Sequence, residues 1–151
     1  MSKEIERKFL VTDSSYRNLA TESHHIVQGY LNRDPNRTVR VRIRDSQGFL
    51  TVKTCNRGAT RDEWEYPIPH EDALTMLSAC DGPVIEKVRH IVNAGNGLRW
   101  EIDEFKGRLS PLVLAEIELP SEDTPFTKPS FIGKEVTDDP RYFNSVLSAQ
   151  A

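Results

Sequence analysis

With 151 residues the chain has the length of one ordinary domain, enough to bury a core and too short for two independent ones. Its 37% apolar and 28% charged residues exclude a disordered tail, and 20 Lys and Arg against 23 Asp and Glu give a net charge of -3, against a nucleic-acid binder that works by bulk electrostatics. No apolar run approaches the roughly 18 residues of a membrane span, and charge stands where a signal peptide is apolar, so the expectation is a cytoplasmic protein with no membrane or nucleic-acid partner.

Residues 3–11 alternate apolar and polar side chains, the period of a strand with one buried face. Residues 13–22 read as a short helix. Further alternating segments follow at 24–32, 37–45, 49–55 and 61–69, with Gly48 and Gly58 in turns that pair neighbours as antiparallel hairpins. Residues 70–80 switch to helical spacing, placing Ala73, Leu74, Met76, Leu77 and Cys80 on one stripe that Asp81-Gly82-Pro83 ends. Alternation resumes at 83–92, 98–105 and 112–119. Three prolines make 120–130 an ordered surface loop or a flap. A C-terminal helix is expected from Pro140, capped by Asp138 or Asp139, with Tyr142, Phe143, Val146 and Leu147 turned to the core. Cys55 and Cys80 have neither zinc spacing nor disulfide density and are read as two buried thiols.

Residues two apart in a strand share a face, about 6.5 Å from one another. The polar faces are sorted by sign. Arg40, Arg42 and Arg44 share one segment and Lys87 and Arg89 another; Glu4 and Glu6 precede Lys8, Glu63 and Glu65 follow Arg61, and Glu116 pairs with Glu118. Lys53 follows Thr51, and Glu101 and Asp103 follow Arg99, while Trp64 and Trp100 fall on the apolar faces as packing residues. An open sheet with a wet face would mix signs, because like charges side by side are destabilising. Eight strands can instead close into a barrel whose interior holds a ligand. With the charged faces inside, a basic wall would take a polyanion and a carboxylate wall a hard divalent cation, Mg²⁺ or Mn²⁺. The expected fold is therefore mainly β (α+β): an eight-stranded antiparallel closed β-barrel with a polar interior and peripheral helices, filling residues 1–151 as a single domain.

Glu4-Ile5-Glu6-Arg7-Lys8 matches the Glu-x-Glu-x-Lys signature of a known family, and its other elements follow in order. They are Arg40-Val41-Arg42, Lys53, Arg61-Asp62-Glu63-Trp64-Glu65, Lys87-Val88-Arg89, Trp100-Glu101-Ile102-Asp103, Glu116-Ile117-Glu118 and Gly133-Lys134-Glu135-Val136-Thr137. Over essentially its whole length the chain resembles the CYTH superfamily, the triphosphate tunnel metalloenzymes. The resemblance implies a tunnel-forming barrel that works on a small-molecule triphosphate with Mg²⁺ or Mn²⁺. It implies that Lys8, Arg40, Arg42, Lys53, Lys87 and Arg89 hold phosphates and that Glu4, Glu6, Glu63, Glu116 and Glu118 hold metal or its water, with Glu65, Glu101 and Asp103 as further candidates. The compact bacterial members that the chain resembles are inorganic triphosphatases, so hydrolysis of tripolyphosphate to phosphate and pyrophosphate is the expected reaction.

Hydrolysis needs a group that takes a proton from water, and Lys8 and Tyr30 are the candidates. Tyr30, in Gln28-Gly29-Tyr30, reads either as that acceptor or as a barrel tyrosine bonded to a neighbour. Arg44 and Arg61 share the charged phase near a tunnel mouth, and His24, His25, His70 and His90 lack metal spacing and are read as surface imidazoles. The same scaffold would also suit a class IV adenylate cyclase or a thiamine or nucleoside triphosphatase. A non-catalytic polyphosphate-binding module is the alternative of another kind, and the carboxylates count against it because they repel a metal-free polyanion.

Overall fold

The computed structural model describes residues 2–151. Its strands are β1 (Ser2–Val11), β2 (Ala20–Asn32), β3 (Arg37–Arg44), β4 (Gln47–Thr54), β5 (Thr60–Ile68), β6 (Ile85–Gly95), β7 (Leu98–Phe105), β8 (Val113–Glu118) and β9 (Ile132–Glu135). The order is β5-β4-β3-β2-β6-β7-β8-β1-β9, and β1 also pairs with β5, so eight antiparallel strands close into a barrel. Closure removes the open edges that would otherwise invite aggregation. β1 divides one edge between two partners: its first half, Ser2 to Ile5, pairs with β5, and Phe9 and Val11 pair with β9. β9 is a ninth strand, beside the barrel rather than in it, that sequence alternation did not separate from its loop.

Three helical expectations change. The stretch at 13–22 is helical only in α1 (Tyr16–Leu19), because β2 begins at Ala20, where pairing with Val92 of β6 overrides local preference. α2 (His70–Ser78) forms as expected but stops two residues early. The C-terminal helix is broken: Asp139 accepts from the Arg141 amide and caps a single 3-10 turn, Phe143 is extended, and α3 (Asn144–Leu147) follows. The break has a cause, since the carbonyl of Tyr142 accepts from Lys8 Nζ at 2.8 Å instead of continuing a helix. Of the two cysteines, Cys55 is exposed beyond the end of β4 and Cys80 is half-buried, so neither is the buried thiol expected.

The apolar faces point outward, as the strand period demands. Phe9, Trp100, Ile102, Ala115 and Ile117 are covered by Tyr16 of α1 and by Phe131 and Phe126. Phe126 lies 6.1 Å from the Phe9 ring and 5.7 Å from Trp100, centroid to centroid, which fastens the proline loop to the barrel wall. Each such buried ring contributes about 1.5–3 kcal/mol. α2 covers Val41 and Ile43 through Ala73. Its close seat needs Gly48, where a Cβ would stand 2.8 Å from that of Ala73. No helix among the described residues is long and apolar enough to cross a membrane.

One polar knot ties α1 to this wall. Glu104 accepts from the Tyr16 hydroxyl and from Arg17 Nε at 2.7 Å, with His90 Nε2 at 3.2 Å. Burial pushes the Glu104 carboxyl up, but Tyr16 and Arg17, with His90 close by, outweigh it and hold it down at about 2. A depressed folded value gives stability that is present above the ordinary value of 4.5 and lost as pH falls from there toward 2. Glu104→Gln is expected to cost about 2 kcal/mol at pH 7 and to flatten the acid limb of a Tm-against-pH curve. An equal loss of Tm at pH 7 and pH 2.5 would refute this account.

Candidate active site

The inward side chains divide the barrel wall into two arcs. β4, β3, β2 and β6 form one, with Lys53, Arg40, Arg42, Arg44 and Arg89; β7, β8, β1 and β5 form the other, with Glu101, Glu116, Glu118, Glu4, Glu6, Glu63 and Glu65. Lys8 and Arg61 are the two cations on the acidic arc. All these residues line one cavity, so Arg42 and Glu118 share an enclosure instead of facing separate solvent. Thr38, Asn56, Ala59, Thr137 and residues 143–145 complete the wall, and among the described residues only Tyr30 and Phe143 bring aromatic rings to it.

Ion pairs stitch the two seams where the arcs meet. At the β4–β5 seam Lys53 Nζ stands 3.0 Å from both Glu4 oxygens and 3.3 Å from Glu63, and Arg61 Nε is 3.0 Å from Glu4. Burial opposes the charge on Glu4, yet Lys53 and Arg61 outweigh it and hold the carboxyl well below the usual range. At the β6–β7 seam Arg89 grips Asp103 with Nε at 2.8 Å and Nη2 at 2.9 Å, and reaches Glu101 at 3.2 Å. Burial disfavours the Arg89 charge, but Asp103 and Glu101 outweigh it and hold the proton firmly.

Away from the seams the cations are less fully paired. Arg42 meets only the neutral oxygen of Gln28, at 2.8 and 2.6 Å. Burial, then Arg40 and Arg89, lower its proton affinity to about 9. Arg40 touches Glu65 at 3.5 Å, while its buried Nε has no partner. On the acidic side burial, Glu116 and Glu4 push the Glu6 carboxyl well up, and Glu63 is raised to about 7 by burial in spite of Lys53. Glu116 resists its own burial because Lys8, the Glu6 hydrogen bond and Arg89 keep it ionised. Glu118, at the rim, is raised by burial and by Glu4 and Glu101. Two carboxyls joined by a hydrogen bond share a proton, and a divalent cation can replace that proton.

Two expected members lie elsewhere. Lys87 and Asp103 point inward but do not reach the cavity: Lys87 is fully buried, 2.7 Å from Asp103, and its Nζ lies 5.4 Å from the centroid of the Phe105 ring. Burial pulls its ammonium down to about 7 in spite of Asp103. The reason is one of level. On the same inward phase the rows end in Leu10, Ile85, Phe105 and Leu114, a dry layer into which Leu147 of α3 packs. The bore is stoppered at that end, and Lys87 and Asp103 form the layer just above the stopper. Alternation located the inward face, but nothing in it marked where charge gives way to apolar packing.

Residues the sequence reading missed arrive with that stopper. Asn144 and Ser145 line the cavity, and Phe143, assigned to the core, lines it too. Asn144 Oδ1 accepts from Gln28 Nε2 at 3.3 Å and from Lys87 Nζ at 3.1 Å. Tyr30 faces the cavity, and among the described residues its hydroxyl makes no hydrogen bond. Arg44 lies over the Phe49 ring at 5.1 Å, towards the open mouth. Among the described residues no group of three His, Cys, Asp or Glu stands gathered as a metal-ligand set, histidines included. His24 instead pairs with Asp45 at 2.7 Å on the surface.

A family model described as the CYTH domain matches residues 2–143. An inorganic triphosphatase of Acetivibrio thermocellus is 48% identical over 148 residues, covering 97% of this chain and 94% of that protein. One from Nitrosomonas europaea is 36% identical, covering 96% of each. The crystal structure of an inorganic triphosphatase superposes with a TM-score of 0.69 at 34% identity, over 100% of this chain and 97% of that one. A Hippeastrum protein with a dominant triphosphatase activity shares the fold at 16% identity and a TM-score of 0.62, over 78% of this chain and 80% of that one.

Proposed function

The chain belongs to the CYTH domain family, and from that premise we propose that its cavity binds inorganic tripolyphosphate with Mg²⁺ or Mn²⁺ and hydrolyses it to phosphate and pyrophosphate. The observation that carries this reading is Arg42: a buried guanidinium, crowded by Arg40 and Arg89 and answered only by an amide, is a wall waiting for an anion. The unpartnered Nε of Arg40 supports it. In this reading Arg40, Arg42, Arg89 and Lys8 hold phosphoryl oxygens, arginine by its two-point fork. Lys53 gives up part of its hold on Glu4 to join them, and Arg44 and Arg61 draw substrate to the mouth.

The acidic arc fits a hard divalent cation. Its donors are all carboxylate oxygens, and the Lys53 ammonium already stands among those of Glu4 and Glu63, a cation seated where cations bind well. Glu6, Glu116 and Glu118 would share the metal and its waters with Glu4 and Glu63, with Glu65 and Glu101 beyond. Mg²⁺ would take one or two of these carboxylates and complete its shell with phosphate and water. When bound, such an ion neutralises charge on the transferring phosphoryl group.

The chain's own groups then hold the triphosphate in line with a water, whose oxygen bonds to the terminal phosphorus as the bond to the pyrophosphate oxygen breaks. Lys8, held by the Tyr142 carbonyl, and the hydroxyl of Tyr30 are the groups available to orient that water, and the one that is deprotonated as the amine or the phenolate takes its proton. Tyr30→Phe is expected to lower kcat more than tenfold while KM moves less than about threefold. Unchanged kcat would remove the hydroxyl from the chemistry.

Incubation with tripolyphosphate and with ATP, each with Mg²⁺ or Mn²⁺, tests the reading. Phosphate plus pyrophosphate from tripolyphosphate supports it, whereas cyclic AMP from ATP would overturn it in favour of a cyclase.

A further inference from the structure

Gln28 is fully buried and stands directly across the β2–β3 pairing from Arg42. Its Oε1 receives both Arg42 bonds, and its Nε2 donates to Asn144 Oδ1, the same oxygen that Lys87 Nζ donates to. Arg42 at one end can only donate, and Lys87 at the other, 2.7 Å from the Asp103 carboxylate, donates as its ammonium. Lys87 therefore requires oxygen from Asn144; that oxygen requires N–H from Gln28; and Gln28 then has its own oxygen left for Arg42. Turning either amide over would set donor against donor at one end. The orientation of both amides is thus fixed by the hydrogen-bond logic of the chain as a whole.

Building on the polyphosphate reading, we propose that Asn144 is a positioning residue of the basic wall, acting through Gln28 on the Arg42 guanidinium. α3 carries Asn144 into the barrel, and Leu147 holds α3 in the dry floor. Seating this C-terminal segment sets the angle at which Arg42 meets the substrate. The neutrality of Gln28 matters as much as its oxygen. A carboxylate there would orient Arg42 equally well but neutralise it, leaving less charge for the anion.

The test is steady-state hydrolysis of tripolyphosphate with Mg²⁺, alongside thermal melts of the same proteins. Asn144→Leu keeps the size and removes the acceptor; it is expected to raise KM about tenfold with kcat within about threefold. Asn144→Asp keeps both accepted bonds but adds a negative charge, and is expected to raise KM less than Asn144→Leu does. Gln28→Glu is expected to raise KM at least as far as Asn144→Leu. Ser148→Ala removes a separate anchor of the segment, the 3.0 Å bond from Arg33 Nε, and is expected to leave KM unchanged. A wild-type KM in Asn144→Leu would overturn the inference. So would an equal KM rise in Ser148→Ala, because loosening the segment by itself would then account for the effect. Should Asn144→Leu fail to fold, an unchanged KM in Gln28→Glu overturns it alone. Wild-type protein inert towards tripolyphosphate would instead sink the proposed function, so the two failures are distinct.

Discussion

Arg42→Ala is expected to lower kcat/KM for tripolyphosphate by about a thousandfold while leaving the protein as stable as before, or more so. Two charge-assisted bonds to phosphate, at roughly 2 kcal/mol each, amount to a factor of about a thousand. The stability half follows from the crowding of like charge. Burial and the neighbouring Arg40 and Arg89 already disfavour the Arg42 charge, so removing it relieves repulsion in the folded state. Arg42→Lys keeps the charge but loses the fork, and is expected to recover at most a tenth of the lost rate. Kinetics and melting temperatures on the three proteins check both halves. An alanine variant within tenfold of wild type, or one that melts much earlier with no ligand present, would show that Arg42 serves the fold and not the anion.

Dialysis against a chelator is expected to abolish turnover, by at least about a thousandfold, and to abolish tripolyphosphate binding with it. The second loss is the diagnostic one. Seven carboxylates line the same cavity as the cations, so without a metal a polyanion entering it meets as much like charge as opposite charge. Added Mg²⁺ or Mn²⁺ should restore both. Glu6→Gln sharpens the test, because glutamine can keep the hydrogen bond that joins residue 6 to Glu116 but cannot offer a second negative charge. That variant is expected to melt normally and to need at least tenfold more metal for half-maximal rate. Calorimetry that finds tripolyphosphate bound tightly in chelator would favour a metal-independent receptor instead.

Strand phase and charge sign carried most of the site in the sequence. β3 reads Arg-x-Arg-x-Arg and β8 Glu-x-Glu, and a two-residue period leaves no freedom about which side chains share a face. Like charges so placed favoured an enclosure over a wet face, and one cavity does hold Arg40, Arg42, Glu116 and Glu118 together. Periodicity has no marker for depth, which is why Lys87 and Asp103 were placed with Arg89 and Glu101 although they lie one layer lower, against Phe105. Nor does it see side-chain capture of a backbone carbonyl: Lys8 takes the Tyr142 oxygen, the C-terminal helix breaks at Phe143, and Asn144 enters the barrel. α1 shrank for a similar reason, since long-range pairing of β2 with β6 outcompetes a weak local helix.

β1 also governs the order of assembly. Glu6 pairs with Glu118 and Glu4 with Arg61, so the strand made first has no permanent neighbour until β5 has emerged, and the ring cannot shut before β8 is made. A nascent chain halted after β7 would leave Glu6 and Lys8 without their β8 neighbours Glu118 and Glu116, and the acidic bed short of two carboxylates. Such distant pairings make refolding slow and all-or-none. Divalent cation, which gains its full set of carboxylates only when the ring shuts, should hold the ring closed more than it helps to build it.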